Sequence, residues 1–326
     1  MSERGDSMIE LKNLHVSYKI RAGYVKAVRD VSLKVKNGET YGLVGESGCG
    51  KSTLGQALLK ILPHQTKITG EIKIDNINIA PYDEKEMQKI RGVKISMIFQ
   101  DPMTSLNPIM KVKDIFIETI QTHYPEISKE EAYEQSAKAL ESVGISRSRL
   151  EEYPFQFSGG MRQRVMIALS TVLNPTAVVA DEPTTSLDVI VQAQILKLLH
   201  DLQKTHNMAM ILITHDLGVV AQNVDNIGVM YGGMLMEESN KYNIYESPKH
   251  PYTEALLSSI PNTNLDDLNL SYIPGYPPNL LHPPKGCPFA PRCPKVKEIC
   301  KEKLPPLIEI GDTRVRCWLY GGDINE

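Results

Sequence analysis

The chain predicts an α/β fold with an N-terminal antiparallel β portion, an inserted helical subdomain and an irregular Cys/Pro-rich C-terminal extension. Three observations lead there. Short strands with alternating apolar residues come first. Near-continuous apolar strands, separated by amphipathic helices, follow. Proline and cysteine then crowd the sequence beyond about residue 245.

Taken in order, apolar residues alternate at Leu14, Val16, Tyr18 and Ile20, and again at Val31, Leu33 and Val35, the period of a half-buried strand. The second run ends in Asn37-Gly38, a hairpin-type pair, and a new strand, "TYGLVG", begins at once. In "EIKIDNINIA", Ile72 and Ile74 precede a polar Asp75-Asn76 turn and Ile77 and Ile79 follow it, which predicts a second hairpin. The later runs "KISMIFQ", "AVVAD" and "AMILITH" are apolar throughout, as strands covered on both faces of a parallel sheet are. Residues 129–143 place Tyr133, Ala137 and Leu140 on one helical stripe, and residues 189–204 place Ile195, Leu198, Leu199 and Leu202 similarly. From Gln100 to Phe157 no strong strand occurs, so a helical subdomain is expected at about 101–157. Proline is dense from Pro274 to Pro294, which marks irregular structure. At 326 residues and roughly 150 residues per domain, the expected division is a core over 1–245 and an extension over 246–326.

The 41% hydrophobic and 23% charged residues are ordinary for a chain that can bury a sizeable core. A net charge of -3 argues against general attraction to nucleic acid or to anionic lipid. The start, "MSERGDSMIE", has no apolar centre and does not read as a secretory signal. No stretch approaches the roughly 18 apolar residues of a membrane helix. The expectation is a cytosolic, soluble protein that serves a membrane, if it serves one, from outside the bilayer.

"GESGCGKS", Gly45 to Ser52, follows the strand "TYGLV" and precedes the helix-like "TLGQALLKIL", the strand–loop–helix context a phosphate loop requires. Glycines let successive N–H groups turn inward around a phosphate, and the helix start adds favourable dipole charge. Lys51 can reach the outer phosphates, and the Ser52 hydroxyl can ligate Mg²⁺. A chance glycine-rich turn is the alternative, and the context argues against it. Cys49 fills a variable loop position and reads as structural. In "AVVADEP" an apolar strand delivers Asp181 and Glu182 at its carboxyl end, where ligands of α/β sheets bind. Asp181 can hold Mg²⁺ through water, and Glu182 can act as general base. Alone, such a pair is usually a solvated turn.

The deciding stretch is "FSGGMRQRVMIALS", whose Ser158 lies 23 positions before Asp181. The phosphate loop, Gln100 after a strand, Ser158-Gly159-Gly160, Asp181-Glu182, Ser186-Leu187-Asp188 and His215 occur in this order. Over residues 8 to about 245 they resemble the ATP-binding subunit of ABC transporters. The resemblance implies that two subunits sandwich two ATP molecules, each between one phosphate loop and the partner's Ser-Gly-Gly segment. Gly45, Glu46, Ser47, Gly48, Cys49, Gly50, Lys51, Ser52 and Thr53 would then cradle this chain's own ATP. Ser158, Gly159 and Gly160 would serve the partner's. Gln100 would contact Mg²⁺ or the attacking water, His215 would bond the γ-phosphate, and Asp188 would lie at the dimer seam. Tyr18 is the candidate for stacking on adenine, with Tyr24 as its competitor. Phe157 stands where the family commonly has leucine and Met161 where it has glutamine; the second change removes a possible polar contact to the facing nucleotide.

"FQDPMTSLNP", "DEPTTSLDVIVQAQIL", "HPYTEALLSSIP" and "KGCPFAPRCP" are similar to the oligopeptide and dipeptide importer branch, and Met161 to its D-type ATPase. That implies a related but distinct second ATPase subunit, two transmembrane permease subunits and, indirectly, an extracellular solute-binding protein, with the chain peripheral on the cytoplasmic face of the cell membrane. Relatives of the branch that import nickel or oligosaccharides, and soluble ATPases of this type acting on nucleic acid, are the alternatives. The single ATPase unit and the acidic charge argue against nucleic acid.

Four of the five cysteines, Cys287, Cys293, Cys300 and Cys317, lie in the extension with five, six and sixteen residues between them. A reducing compartment disfavours disulfides, so a metal staple is expected in a segment with little core of its own. The spacing lacks the short knuckle of structural zinc, and long gaps suit a bulky cluster better than one ion. The branch resemblance implies a [4Fe–4S] cluster on these four residues, with Zn²⁺ or unligated thiols as the alternatives.

Overall fold

The computed structural model describes residues 7–185, 187–259 and 273–321. Among them the chain forms β1 (Ser7–Ile20), β2 (Gly23–Lys36), β3 (Thr40–Val44), α1 (Lys51–Leu58), β4 (Thr66–Ile74) and β5 (Ile77–Asn78). Then come α2 (Glu84–Ile90), β6 (Ile95–Ile98), α3 (Pro102–Ser105), α4 (Val112–His123), α5 (Lys129–Ser142) and α6 (Gly159–Thr171). The series continues with β7 (Ala177–Asp181), α7 (Val189–His206), β8 (Ala209–Thr214), α8 (Leu217–Asn223), β9 (Asn226–Tyr231) and β10 (Met234–Asn240). It ends with α9 (Lys241–Glu246), α10 (Pro251–Ser258), α11 (Glu298–Glu302), β11 (Ile308–Ile310) and β12 (Thr313–Val315).

These elements fall into two compact units. One takes the chain up to Ile9, Val35–Glu39 and Lys73–Ile211; the other takes Glu10–Lys34, Thr40–Ile72 and the chain from Leu212. In the first unit β6 and β7 pair in parallel, Ile95 opposite Ala177 and Ile98 opposite Ala180. Every residue of both strands is buried, as apolar runs without alternation require. The helical stretch expected between Gln100 and Phe157 is α3, α4, α5 and two 3₁₀ turns at Arg147–Glu151 and Pro154–Gln156. Ser128 begins α5 with a capping box, its hydroxyl accepting from Glu131 N while the Glu131 carboxylate accepts from Ser128 N. Ile120, Ala132 and Leu173 form the local core of this region, with Val93, Ile117 and Tyr124 packed against it.

The second unit holds β3 beside β9 in parallel, Tyr41 opposite Asn226 and Val44 opposite Val229. Antiparallel neighbours continue outward in the order β9-β10-β12-β11. The extension thus contributes two strands despite its prolines, with Glu237 opposite Val315 and Glu238 opposite Arg314. A separate sheet has the order β2-β1-β4-β5. Its β4–β5 hairpin turns on Asp75 (φ 51°) and Asn76 (φ 62°), the left-handed pair of a type I′ turn.

Asn37-Gly38 differs from the expected hairpin. It ends β2 in one sheet, and β3 begins in another, where its registered parallel partner is β9. The burial patterns carry the reason: β2 alternates towards its end, whereas β3 is buried at every position. A strand wrapped on both faces cannot extend a half-solvated ladder.

Candidate functional site

In the second unit β3 delivers Gly45, whose φ of 150° and carbonyl neighbour admit no side chain: a Cβ there would lie 2.2 Å from Met230 O. Gly50 (φ 106°) ends the loop, and a Cβ on it would lie 2.2 Å from Ala27 O. Helix α1 then starts at Lys51 with no side chain capping its first turn, and a helix start is where an anion binds favourably. Lys51 is only 4% exposed. Its Nζ donates to Gly45 O at 2.7 Å and Glu46 O at 3.0 Å, folding the loop around its own ammonium. Burial pushes the Cys49 thiol up, partly offset by Lys51, so this cysteine is held as a neutral, unreactive thiol. Tyr18 OH and Thr53 Oγ1 are 3.0 Å apart. Ser47 and Gly48 are exposed and Ser52 is half-buried. His215 is exposed just past β8, where Asp216 N donates to Thr214 Oγ1 at 3.1 Å.

The loop is also held from the C-terminal extension of the same unit. Arg292 bonds the Glu46 carboxylate through both terminal nitrogens, at 2.8 and 3.0 Å. Glu46 N donates to Tyr252 OH at 3.0 Å. Sequence reasoning placed Arg292 only within the cysteine segment, because a pair separated by 246 positions has no local signature.

The remaining candidates lie in the first unit. Asp181 ends β7 and is 4% exposed. Glu182 follows at φ 45°, a left-handed conformation that costs a non-glycine residue about 1–3 kcal/mol. Its Oε2 accepts from Gln100 Nε2 at 3.0 Å and from Thr185 Oγ1 at 3.1 Å, so Gln100 and Glu182 are brought together. Ser158 caps α6, its hydroxyl accepting from Met161 N at 3.4 Å; Ser158 and Gly159 are exposed. A Cβ on Gly160 would meet Val191 Cγ1 at 2.7 Å, so this glycine lets α6 and α7 approach. Asp188 caps α7 by accepting from Val191 N at 2.9 Å. Phe157 is buried beneath the Arg149 guanidinium, 4.5 Å from its ring centre. Met161 Sδ faces the same arginine at 3.8 Å. Ser186 lies outside the described residues.

Residues 28–185 match the family model described as ABC transporter, and residues 236–300 match "Oligopeptide/dipeptide transporter, C-terminal region". The dipeptide transport ATP-binding protein DppD of Bacillus subtilis is 46% identical over 319 residues, covering 96% of this chain and 95% of that one. The chain belongs to the oligopeptide/dipeptide branch of the ABC transporter ATPases. The oligopeptide transport ATP-binding protein OppD of Escherichia coli is 46% identical over 316 residues, covering 96% of this chain and 93% of its own. Among solved structures, the dimeric post-hydrolysis state of the ATP-binding cassette MJ0796, bound to ADP and Pi, aligns at a TM-score of 0.64 with 30% identity. It covers 72% of this chain and 99% of that cassette.

In this ABC ATPase no described helix is long and apolar enough to cross a membrane. The extension's cysteines are all unbridged; Cys287 and Cys317 are buried, and Cys293 and Cys300 are half-buried. Backbone bonds tie their segments: Cys287 N donates to Cys300 O at 2.8 Å and Ala290 N to Cys287 O at 3.1 Å. Gly286 is obligatory there, since a Cβ would lie 2.1 Å from Cys300 O. Burial, with the other three cysteines adding to it, pushes the Cys287 thiol up to about 12. Among the described residues no group of three or more His, Cys, Asp or Glu side chains is arranged to hold a metal ion. Tetrahedral zinc at about 2.3 Å from each sulfur needs thiolates about 3.8 Å apart, so these residues do not fit a single ion as they stand.

Proposed function

We propose that the chain is the ATP-hydrolysing subunit that powers import of dipeptides or oligopeptides across the cytoplasmic membrane. The observation that carries this is the phosphate loop, built on a fully buried strand with Lys51 at its centre, in a chain 46% identical to dipeptide and oligopeptide transport ATP-binding proteins. The loop's N–H groups and Lys51 would hold the β- and γ-phosphates, Tyr18 would stack on adenine, and Thr53 would orient Tyr18 through its hydroxyl. Ser52, Gln100 and Asp181 are oxygen donors of the kind Mg²⁺ takes, and the ion would neutralise phosphate charge.

In the reaction, Glu182 accepts a proton from water as the water oxygen bonds to the γ-phosphorus. The bond to the bridging oxygen breaks and ADP leaves with that electron pair. Positioning and charge neutralisation supply most of the rate. Gln100, bonded to the Glu182 carboxylate, would orient the base and report nucleotide state to the permeases. His215 would bond the γ-phosphate. Ser158, Gly159 and Gly160 would reach the ATP of a paralogous second subunit, with Asp188 at the seam, an arrangement supported by the dimeric form of the MJ0796 cassette. ATP-driven closure of that dimer would drive two membrane permeases served by a solute-binding protein, with the chain on the cytoplasmic face. The expected division of labour is a core over 1–245, with the helical subdomain at about 101–157, and an extension over 246–326. Affinity purification from membranes checks this assembly: permeases and a second ATPase should co-purify, and their absence from an otherwise active ATPase would remove the transport reading.

Within the extension the four cysteines are proposed to carry a [4Fe–4S] cluster, because four unbridged thiols, buried or half-buried, gather in one segment whose backbone ties Cys287 to Cys300. When bound it would supply a structural staple. Anaerobic purification should give brown protein with iron and sulfide in equal amounts, and colourless protein with stoichiometric zinc refutes the cluster.

A further inference from the structure

Arg292 lies in the short turn between Phe289 and Cys293, and its guanidinium is directed into the phosphate loop's own unit. Nη1 donates to Glu46 Oε2 at 2.8 Å and to Tyr231 OH at 3.0 Å. Nη2 donates to Glu46 Oε1 and Ile273 O at 3.0 and 2.9 Å, and Nε donates to Pro274 O at 2.8 Å. These bonds match all five N–H donors that a guanidinium has, and the side chain is 5% exposed. Glu46 is held at three points, because its N–H donates to Tyr252 OH and its carbonyl accepts from Lys51 Nζ, each at 3.0 Å. Tyr231, Tyr252 and Phe289 pack ring to ring behind it, with centroids 4.6 to 5.3 Å apart.

Two physical consequences follow. A loop with Gly45, Gly48 and Gly50 all at positive φ has much backbone freedom to lose on binding, and fixing it in advance makes binding tighter. A carboxylate in a loop that must receive phosphates also repels them unless a fixed cation compensates it. We propose that Arg292 is a positioning residue for ATP, reaching from the C-terminal extension to neutralise Glu46 and hold the phosphate loop in its nucleotide-receiving shape. The inference rests on the ATP reading of the loop. An ammonium cannot replace the planar fork, which grips both carboxylate oxygens at once.

The test is equilibrium ATP binding and steady-state hydrolysis by the full chain, with thermal unfolding recorded for each variant. Arg292→Ala should weaken ATP binding about tenfold (about 1.4 kcal/mol) and raise KM similarly, with kcat changed by less than about twofold, the signature of lost uniform binding. Arg292→Lys should be intermediate. Arg292→Ala/Glu46→Ala should bind ATP better than Arg292→Ala alone, because the uncompensated carboxylate is gone; a merely structural arginine gives no such recovery. Should Arg292→Ala fail to fold, Arg292→Lys, which keeps the charge but not the two-pronged grip on Glu46, should still weaken binding about threefold. Wild-type affinity in Arg292→Ala or in Arg292→Lys, or additive losses in the double variant, overturns the proposal. A folded wild-type chain that does not bind ATP overturns the ATP reading instead.

Discussion

Two helices of this chain begin at glycine-bearing turns, and they are prepared differently. At the start of α1, Lys51 is buried and bonded to the carbonyls of its own loop, and the loop is braced by Arg292 and Tyr252 from beyond residue 250. At the start of α6, Ser158 and Gly159 are exposed, and the local support is the Ser158 cap and the packing of Gly160 on Val191. On the proposed reading, a loop that takes up a multiply charged ligand before a partner closes on it has to be shaped and neutralised before the ligand arrives. A helix start that meets a ligand carried by another subunit needs only presentable N–H groups. On that reading the contrast is between the half-site that holds this chain's own ATP and the half-site that meets a partner's, and each prediction tests whether the two can be separated.

The largest separation is between holding ATP and cleaving it. Glu182→Gln removes the proposed base but keeps an acceptor for Gln100 and Thr185. Turnover should fall about a thousandfold, while ATP affinity stays within about twofold. Near-normal turnover would end the general-base assignment.

Next in size, the glycines themselves distinguish the two helix starts. Gly45→Ala puts a methyl group 2.2 Å from Met230 O at a φ of 150°, so ATP affinity should fall about a hundredfold (about 2.7 kcal/mol). Gly159→Ala meets Leu187 Cδ2 at an ordinary 3.7 Å and should leave ATP binding by the isolated chain unchanged. Equal losses from both substitutions, read by nucleotide titration, would erase the distinction.

Legibility in the sequence follows the range of the interaction that fixes each feature. The phosphate loop, Asp181-Glu182 and the buried strands were readable because strand burial and glycine spacing are local. So was the Asp75-Asn76 hairpin, whose turn type is written in two residues. Asn37-Gly38 misled because a turn signal says that the chain reverses, not which sheet receives it. Arg292 on Glu46 was invisible because both residues sit in motifs with readings of their own. Glu237 was equally invisible, because its partners lie 12 and 13 positions on: it accepts from Lys249 N and His250 N at 2.7 and 2.8 Å and anchors the start of α10.

That anchor gives a smaller, pH-dependent effect on the braced side alone. His250 is fully buried, and burial holds its pKa down at about 3. It accepts from Tyr252 N through Nδ1 at 2.9 Å, fixing the tyrosine that bonds Glu46. The unfolded chain takes up this proton near pH 6.5 and the folded one does not. Stability from this residue is therefore full above about pH 6.5 and falls as pH drops towards 3, by at most about 1.4 kcal/mol per unit. Between pH 6.5 and 5.5 the denaturant midpoint should fall, and His250→Asn, which keeps an acceptor for Tyr252 N, should flatten that slope. Equal slopes in both proteins would place the acid sensitivity elsewhere.

The smallest effect belongs to Ser158. Its hydroxyl caps α6 at a long 3.4 Å, so Ser158→Ala should cost about 0.5–1 kcal/mol of stability. ATP binding by the isolated chain should not change, because the loop at α1 is braced within its own unit. Turnover in the assembled transporter should nonetheless drop by about tenfold, the loss of one charge-assisted bond to the facing γ-phosphate. Purified chain and reconstituted complex, assayed side by side, separate these outcomes. If the isolated chain loses ATP affinity as well, Ser158 serves its own nucleotide, and the half-site at α6 is not half of anything.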